Sequence, residues 1–139
     1  MTVTTYVYLA AAWDRAFQMQ QAREVLQGFG FESTSRWIDQ AVASGVPIAG
    51  DTGVGDIKKA AVAAQQDMSD LLAADIVIVY TRSKSTTGGR HVELGMALVA
   101  GKKIIIIGPR ENIFQAMPKI EQFTSFAKYI EHLRVYRAP

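Results

Sequence analysis

Asp67, Glu93, Tyr8 and the hydroxyl of Thr87 are the residues of this 139-residue chain whose types suit chemistry at one centre. Glu93 follows the run Thr86-Thr87-Gly88-Gly89-Arg90-His91, between an apolar strand-like run, Ile76 to Tyr80, and a helix-like run that ends at Gly101. A glycine-containing turn between strand and helix is where open α/β sheets build ligand sites, because glycine lets the backbone approach a ligand closely. The helix that follows offers unpaired N–H groups and the positive end of its dipole. Glu93 is expected in the first turn of that helix, held ionised, and is a candidate nucleophile; the alternative is an acidic residue that only supports the helix start. Two carboxyl groups flanking one site are the minimum for glycoside chemistry, one at the anomeric carbon and one handling the proton of the leaving group.

Asp67 belongs to the clearest helical pattern, Ile57 to Ala73, where Ile57, Ala60, Ala61, Ala64, Met68, Leu71 and Leu72 fall on one face. At ~100° per residue, Asp67 lies about 90° from the centre of that face and Asp70 about 150°. Asp70 is therefore expected in water. Asp67 is expected at the edge of the buried stripe, either as a partly desolvated carboxylate reaching the end of a sheet or as a solvated boundary residue. Tyr6 to Ala12 reads as a strand, followed by a helix from Arg15 to Gln27 capped by Asp14 and stopped by Gly28. Tyr8 in that strand is either a partner of the site or simple strand packing. Glu32 to Trp37 is a second strand. Asp39 to Gly55 is a polar, glycine-rich loop, helical in part over Gln40 to Ala43, and is expected to act as a flap.

Ile76 to Tyr80 and Ile104 to Ile107 are continuous β-branched runs, the pattern of strands buried on both faces. Glu111 to Met117 reads as a short helix, Ile120 to Phe123 as a last strand and Ser125 to Leu133 as a closing helix. The alternation predicts a three-layer, doubly wound α/β fold, Rossmann-like or flavodoxin-like, with a five-stranded parallel sheet in one domain spanning residues 1–139.

Bulk composition excludes several classes. Hydrophobic residues make up 49% and charged residues 20%, an ordinary globular balance. A net charge of +2 without a long Lys/Arg run does not point to nucleic acid. Cysteine is absent and histidine occurs only at His91 and His132, so disulfides, thiolate metal sites and histidine-rich metal sites are not expected. His132 reads as a surface residue of the last helix. No run has the length of a membrane span, and residues 1–12 lack a charged leader region, so a cytoplasmic protein is expected.

With these residues in place the chain resembles the nucleoside 2-deoxyribosyltransferase superfamily, which includes the 2'-deoxynucleoside 5'-phosphate N-hydrolases. The resemblance runs from Tyr8-Leu9-Ala10-Ala11, through Gln66-Asp67-Met68-Ser69-Asp70-Leu71-Leu72-Ala73-Ala74-Asp75 and Glu93-Leu94-Gly95-Met96-Ala97, to Gln115-Ala116-Met117. It implies an enzyme without a cofactor or metal, acting on a nucleoside or nucleoside monophosphate. By this resemblance Glu93 forms a covalent glycosyl intermediate, Asp67 protonates or steers the leaving base, and Tyr8 orients Glu93. Thr87, six before Glu93, matches a position that tends to be Asp in the base-exchanging transferases and Ser in the nucleotide hydrolases. Its hydroxyl leans towards the hydrolases, although Thr also caps ordinary turns. Gly88 and Gly89 would bring N–H groups to the same anion.

The hydrolases carry a Gly-Ser-Ile-Arg-like loop after strand 1, where this chain reads Ala11-Ala12-Trp13-Asp14-Arg15. The Ser is missing and the Arg displaced, which makes Arg15 or Arg90 the candidate for the missing charge and leaves Trp13 either to stack on a base or to pack. In the family a Ser or Asn from a neighbouring subunit enters the site. The matching residue is Gln115, which implies a homodimer whose Gln115 segment completes the partner's site. Two other activities stay open: base exchange by a deoxyribosyltransferase, and nucleotide binding without chemistry. The cytokinin-type phosphoribohydrolases share a glycine turn followed by Glu, but their Pro-Gly-Gly and Gly-Thr elements are absent.

Overall fold

The computed structural model describes residues 3–45, 54–82 and 88–137. Five strands form one parallel sheet: β1 (Thr5–Ala10), β2 (Phe31–Ser33), β3 (Ile76–Tyr80), β4 (Lys103–Ile107) and β5 (Glu121–Phe123), in the order β2-β1-β3-β4-β5. Every residue of β3 is buried, as its unbroken β-branched run requires of a strand covered on both faces. The helices are α1 (Ala16–Gln27), α2 (Trp37–Ser44), α3 (Ile57–Leu72), α4 (Gly89–Val99) and α5 (Phe126–Tyr136), with short 3-10 turns at Trp13–Arg15 and Ile113–Ala116. This is the expected three-layer α/β architecture. Successive connections leave β1 and β3 in opposite directions across the sheet, and the crevice at their C-terminal ends is the place where such sheets bind ligands.

Local chemistry fixes most of the boundaries. Asp56, Asn112 and Ser125 accept hydrogen bonds from backbone N–H groups at the starts of α3, the Ile113 turn and α5. Asp14 does not cap α1, because the chain first makes a 3-10 turn through Trp13–Arg15 and α1 begins at Ala16 without a side-chain cap. Trp37 starts a helix instead of ending a strand: Trp37, Ile38 and Ala41 are buried together on one side of α2. The loop read as a flap begins only after Ser44, and its residues 46–53 lie outside the described residues. Gly108 ends β4 at φ +115, and a side chain there would collide with the Thr81 hydroxyl, which donates to Pro109 O at 2.7 Å and joins the ends of β3 and β4.

The phase of α3 differs from the apolar stripe in its sequence. Asp70 and Leu71 are its buried residues, while Ile57, Val62, Met68 and Leu72 are exposed. The side turned to the sheet is rotated roughly 90° from the stripe, towards Asp67. Asp70 is 6% exposed and not in water. The reason is a set of polar ties: Thr34 Oγ1 donates to Asp70 O at 2.7 Å, and Arg36 binds the Asp70 carboxylate. These satisfied polar groups outweigh the modest gain from turning alanines inward.

Among the described residues no helix is long and apolar enough to cross a membrane. The Tyr80 hydroxyl, buried beside Phe126, has no hydrogen-bond partner among the described residues. Tyr80→Phe is therefore expected to stabilise the fold by about 1 kcal/mol, a rise in Tm on the order of 3 °C. Thermal unfolding of the two proteins checks this; a lower Tm in the variant would mean that the hydroxyl is bonded.

Candidate active site

β1 and α4 bring the first two functional groups together. Tyr8 is fully buried in β1, and its hydroxyl donates a hydrogen bond to Glu93 Oε2. α4 starts at Gly89, with Gly88 in the left-handed region at φ +79, so Glu93 lies beyond the first turn. The helix dipole, which acts within the first turn, is therefore not what sets its charge. Burial pushes the Glu93 carboxyl up to about 8, the Tyr8 hydrogen bond opposes that, and the charge of Asp67 adds to it. The expectation that Glu93 stays ionised is corrected: near neutral pH the free chain favours its protonated form, because desolvation of a carboxylate outweighs one hydrogen bond. Tyr8 is held strongly to its neutral, proton-donating form by burial and by the charges of Glu93 and Asp67.

Asp67 completes the group from α3. It is half-buried, and burial, with the adjacent charge of Asp70, raises its carboxyl to about 6; Arg36 pulls the other way. Its charge acts on both Tyr8 and Glu93, which places three titratable groups from three elements in one electrostatic unit. A pair of carboxyl groups coupled in this way titrates as a pair and holds one proton over the interval between the two values.

The remaining residues singled out from the sequence are placed as follows. Thr87 lies outside the described residues. Gly88 and Gly89 form the start of α4. Ala11 is half-buried at the end of β1, and Trp13 stands beside Trp37 with ring centroids 6.2 Å apart. Arg15 donates to Thr81 O and Arg82 O, both at 3.1 Å, so its guanidinium braces the exit of β3. Arg82 there adopts φ +61, a conformation seldom taken by residues other than glycine and one that concentrates at functional turns. Arg90 is buried and ion-paired with Glu111 at 3.1 Å. Both guanidiniums thus have intramolecular partners. Gln115 is 0% exposed, and its Oε1 accepts from Glu111 N at 2.7 Å. Its side chain is thus hydrogen-bonded within its own chain.

The residues that sequence reasoning missed are Asp70, Arg36 and Glu111. The first two are one ion pair, with Arg36 Nη2 at 2.7 Å from Asp70 Oδ1. The signal was the Asp67–Asp70 spacing, three residues on one helix, which makes the two carboxylates neighbours. Among the described residues no group of three or more His, Asp or Glu side chains could hold a metal ion.

No family model matches the sequence, and no curated protein sequence matches it. Solved structures do match. A 2-deoxyribosyltransferase from the psychrotolerant bacterium Bacillus psychrosaccharolyticus is similar with a TM-score of 0.65 at 18% identity, over 90% of this chain and 90% of that one. The Clostridium botulinum CMP N-glycosidase BcmB is similar with a TM-score of 0.56 at 19% identity, over 95% of this chain and 100% of that one. The fold is thus the one that the 2-deoxyribosyltransferase and the CMP N-glycosidase share.

Proposed function

We propose that this chain is an N-glycosidase that hydrolyses the base–sugar bond of a nucleoside 5'-monophosphate through a covalent intermediate on Glu93. The observation that carries the reading is the part-buried hydrogen bond from Tyr8 of β1 to Glu93 of α4, with the charge of Asp67 acting on both groups. Glu93 Oε attacks C1', the C1'–N bond breaks with its electron pair leaving on the base, and Asp67 gives the base a proton. Water then attacks C1' of the glycosyl ester, Asp67 takes the water proton, and Glu93 leaves as a carboxylate. Such retaining chemistry calls for carboxyl groups about 5 Å apart. Gly88 and Gly89, opening α4, suit an anionic sugar phosphate, as helix N-termini do. The test is product analysis on a panel of nucleosides and nucleotides. Free base and sugar phosphate are expected; nucleotide binding without turnover would overturn the reading in favour of a binding module.

The pH profile follows from the two carboxyl groups. The productive form has Glu93 ionised and Asp67 protonated. Below about 6 both groups carry protons and Glu93 cannot attack; above about 8 both are ionised and the base receives no proton. Between them the pair holds one proton, and the share of molecules with that proton on Asp67 reacts. kcat/KM is expected to plateau between limbs near 6 and 8, as measured by initial rates of base release across pH 4.5–9.5.

A transferase reading is favoured by the higher TM-score to the 2-deoxyribosyltransferase. Incubation of a deoxynucleoside with a different free base separates the two: a new nucleoside means that the base, not water, intercepts the intermediate. The homodimer rests on the exposed apolar residues Ile57, Val62, Met68 and Leu72 of α3 and Val92 and Val99 of α4. Val62, 64% exposed, is the probe: sedimentation velocity is expected to give a species of two 15.2 kDa chains for the native sequence and one for Val62→Asp.

A further inference from the structure

The ion pair behind the acid supports a second assignment, which rests on the proposed role of Asp67. We propose that Arg36 and Asp70 are positioning residues for Asp67: they lock the rotation of α3 so that Asp67 faces the site, and they set the charge beside its carboxyl group. Arg36 lies in the turn after β2, and its backbone N–H, Nε and Nη2 all donate to the Asp70 carboxylate, at 3.1, 2.9 and 2.7 Å. Thr34, from the same turn, donates to the Asp70 carbonyl at 2.7 Å. Two residues of one turn thus grip one residue of α3 by side chain and backbone. That grip holds the helix against its apolar stripe, whose burial would carry Asp67 away from the sheet.

Stability alone does not account for the pair. Asp70 is buried while the Arg36 side chain is 56% exposed, so desolvation of the carboxylate is offset by a guanidinium partly screened by water. What the arrangement does supply is a fixed negative charge one helical turn from Asp67, with a positive charge bound to it. The groups facing Asp67 among the described residues are Asp70 on its own helix, Arg36 from the β2–α2 turn, and Tyr8 and Glu93 from β1 and α4. The first two are the only ones free to be altered without touching the reacting unit.

The two members act on Asp67 with opposite sign, and that is the signature to look for. The carboxyl carbon of Asp67 is followed by NMR titration of the full chain labelled with 13C at aspartate side chains, with Asp67→Asn for assignment. In Asp70→Asn the Asp67 midpoint is expected to fall, and in Arg36→Met to rise, each on the order of half a unit to one unit. Unchanged midpoints in both folded variants, or shifts of the same sign, overturn the assignment. Should Asp70→Asn fail to fold, Arg36→Met decides, since it alters only a half-exposed side chain: a rise supports the charge role, and no change overturns it. The acid limb of base release is expected to move with the NMR midpoint. Midpoints that shift in a protein that releases no base leave the pair standing and sink the glycosidase reading instead.

Discussion

Glu93→Gln is expected to lower kcat/KM for base release by at least on the order of 10³-fold while leaving the fold intact. The amide keeps an oxygen to accept the Tyr8 hydroxyl but cannot form the glycosyl ester. Thermal unfolding separates loss of chemistry from loss of structure, and linkage gives the sign. The Glu93 carboxyl rises from its ordinary 4.5 in the unfolded chain to about 8 in the folded one. Folding therefore favours its protonated form; stability tied to it is full below the unfolded value and is lost as pH rises through about 8. A neutral amide escapes that loss, so the variant is expected to unfold at a higher temperature than the native chain at pH 8–9 and at a similar one at pH 4. An inactive variant that is also less stable at pH 8 would point to a structural defect. Near-native base release would remove Glu93 from the role of nucleophile.

Asp67→Asn is expected to cost on the order of 10²- to 10⁴-fold, the range for loss of a general acid. The size of the loss depends on the leaving group. A natural base must be protonated as it departs, whereas a nitrophenolate can leave as a stable anion. The deficit is therefore expected to shrink to about tenfold on a nitrophenyl deoxyriboside. An equal deficit on both substrates would assign Asp67 to binding or steering instead of proton transfer. The alkaline fall is also expected to vanish from the profile of the variant, since that fall is loss of the Asp67 proton; activity then rises with the ionisation of Glu93 alone.

Much of this was legible in the residues, and the illegible part has a physical reason. β3 was read to the residue, because five consecutive apolar side chains admit only a strand covered on both faces. Tyr8 is hydrogen-bonded to Glu93, and the charge of Asp67 acts on both, so the three residues read as one group do share an electrostatic neighbourhood. Asp70 was misread because helical periodicity finds where apolar residues cluster, and the rotation of α3 is set by Thr34 and Arg36 from a distant turn. The charge state of Glu93 was misread for a similar reason: a dipole is local to the sequence, whereas burial is a property of the assembled fold. The contacts of Gln115 and Arg90 with Glu111 were not legible, because nothing in their own segments reveals a shared partner.

The order of strands has a consequence for how the chain comes to exist. β1 precedes the other four strands in the chain, yet it forms the centre of the sheet only with β3, pairing Val7 with Ile76 and Ala10 with Val79. On a ribosome, the first strand must wait for some seventy further residues before its inner edge is covered. Until then only β2, three residues long, can pair with it. Parallel pairings of this kind close long loops before any contact repays the lost entropy, so they form late and slowly. The candidate site inherits that schedule: Tyr8 is synthesised well before its partner Glu93, which arrives only after β3 has given α4 a sheet to pack on.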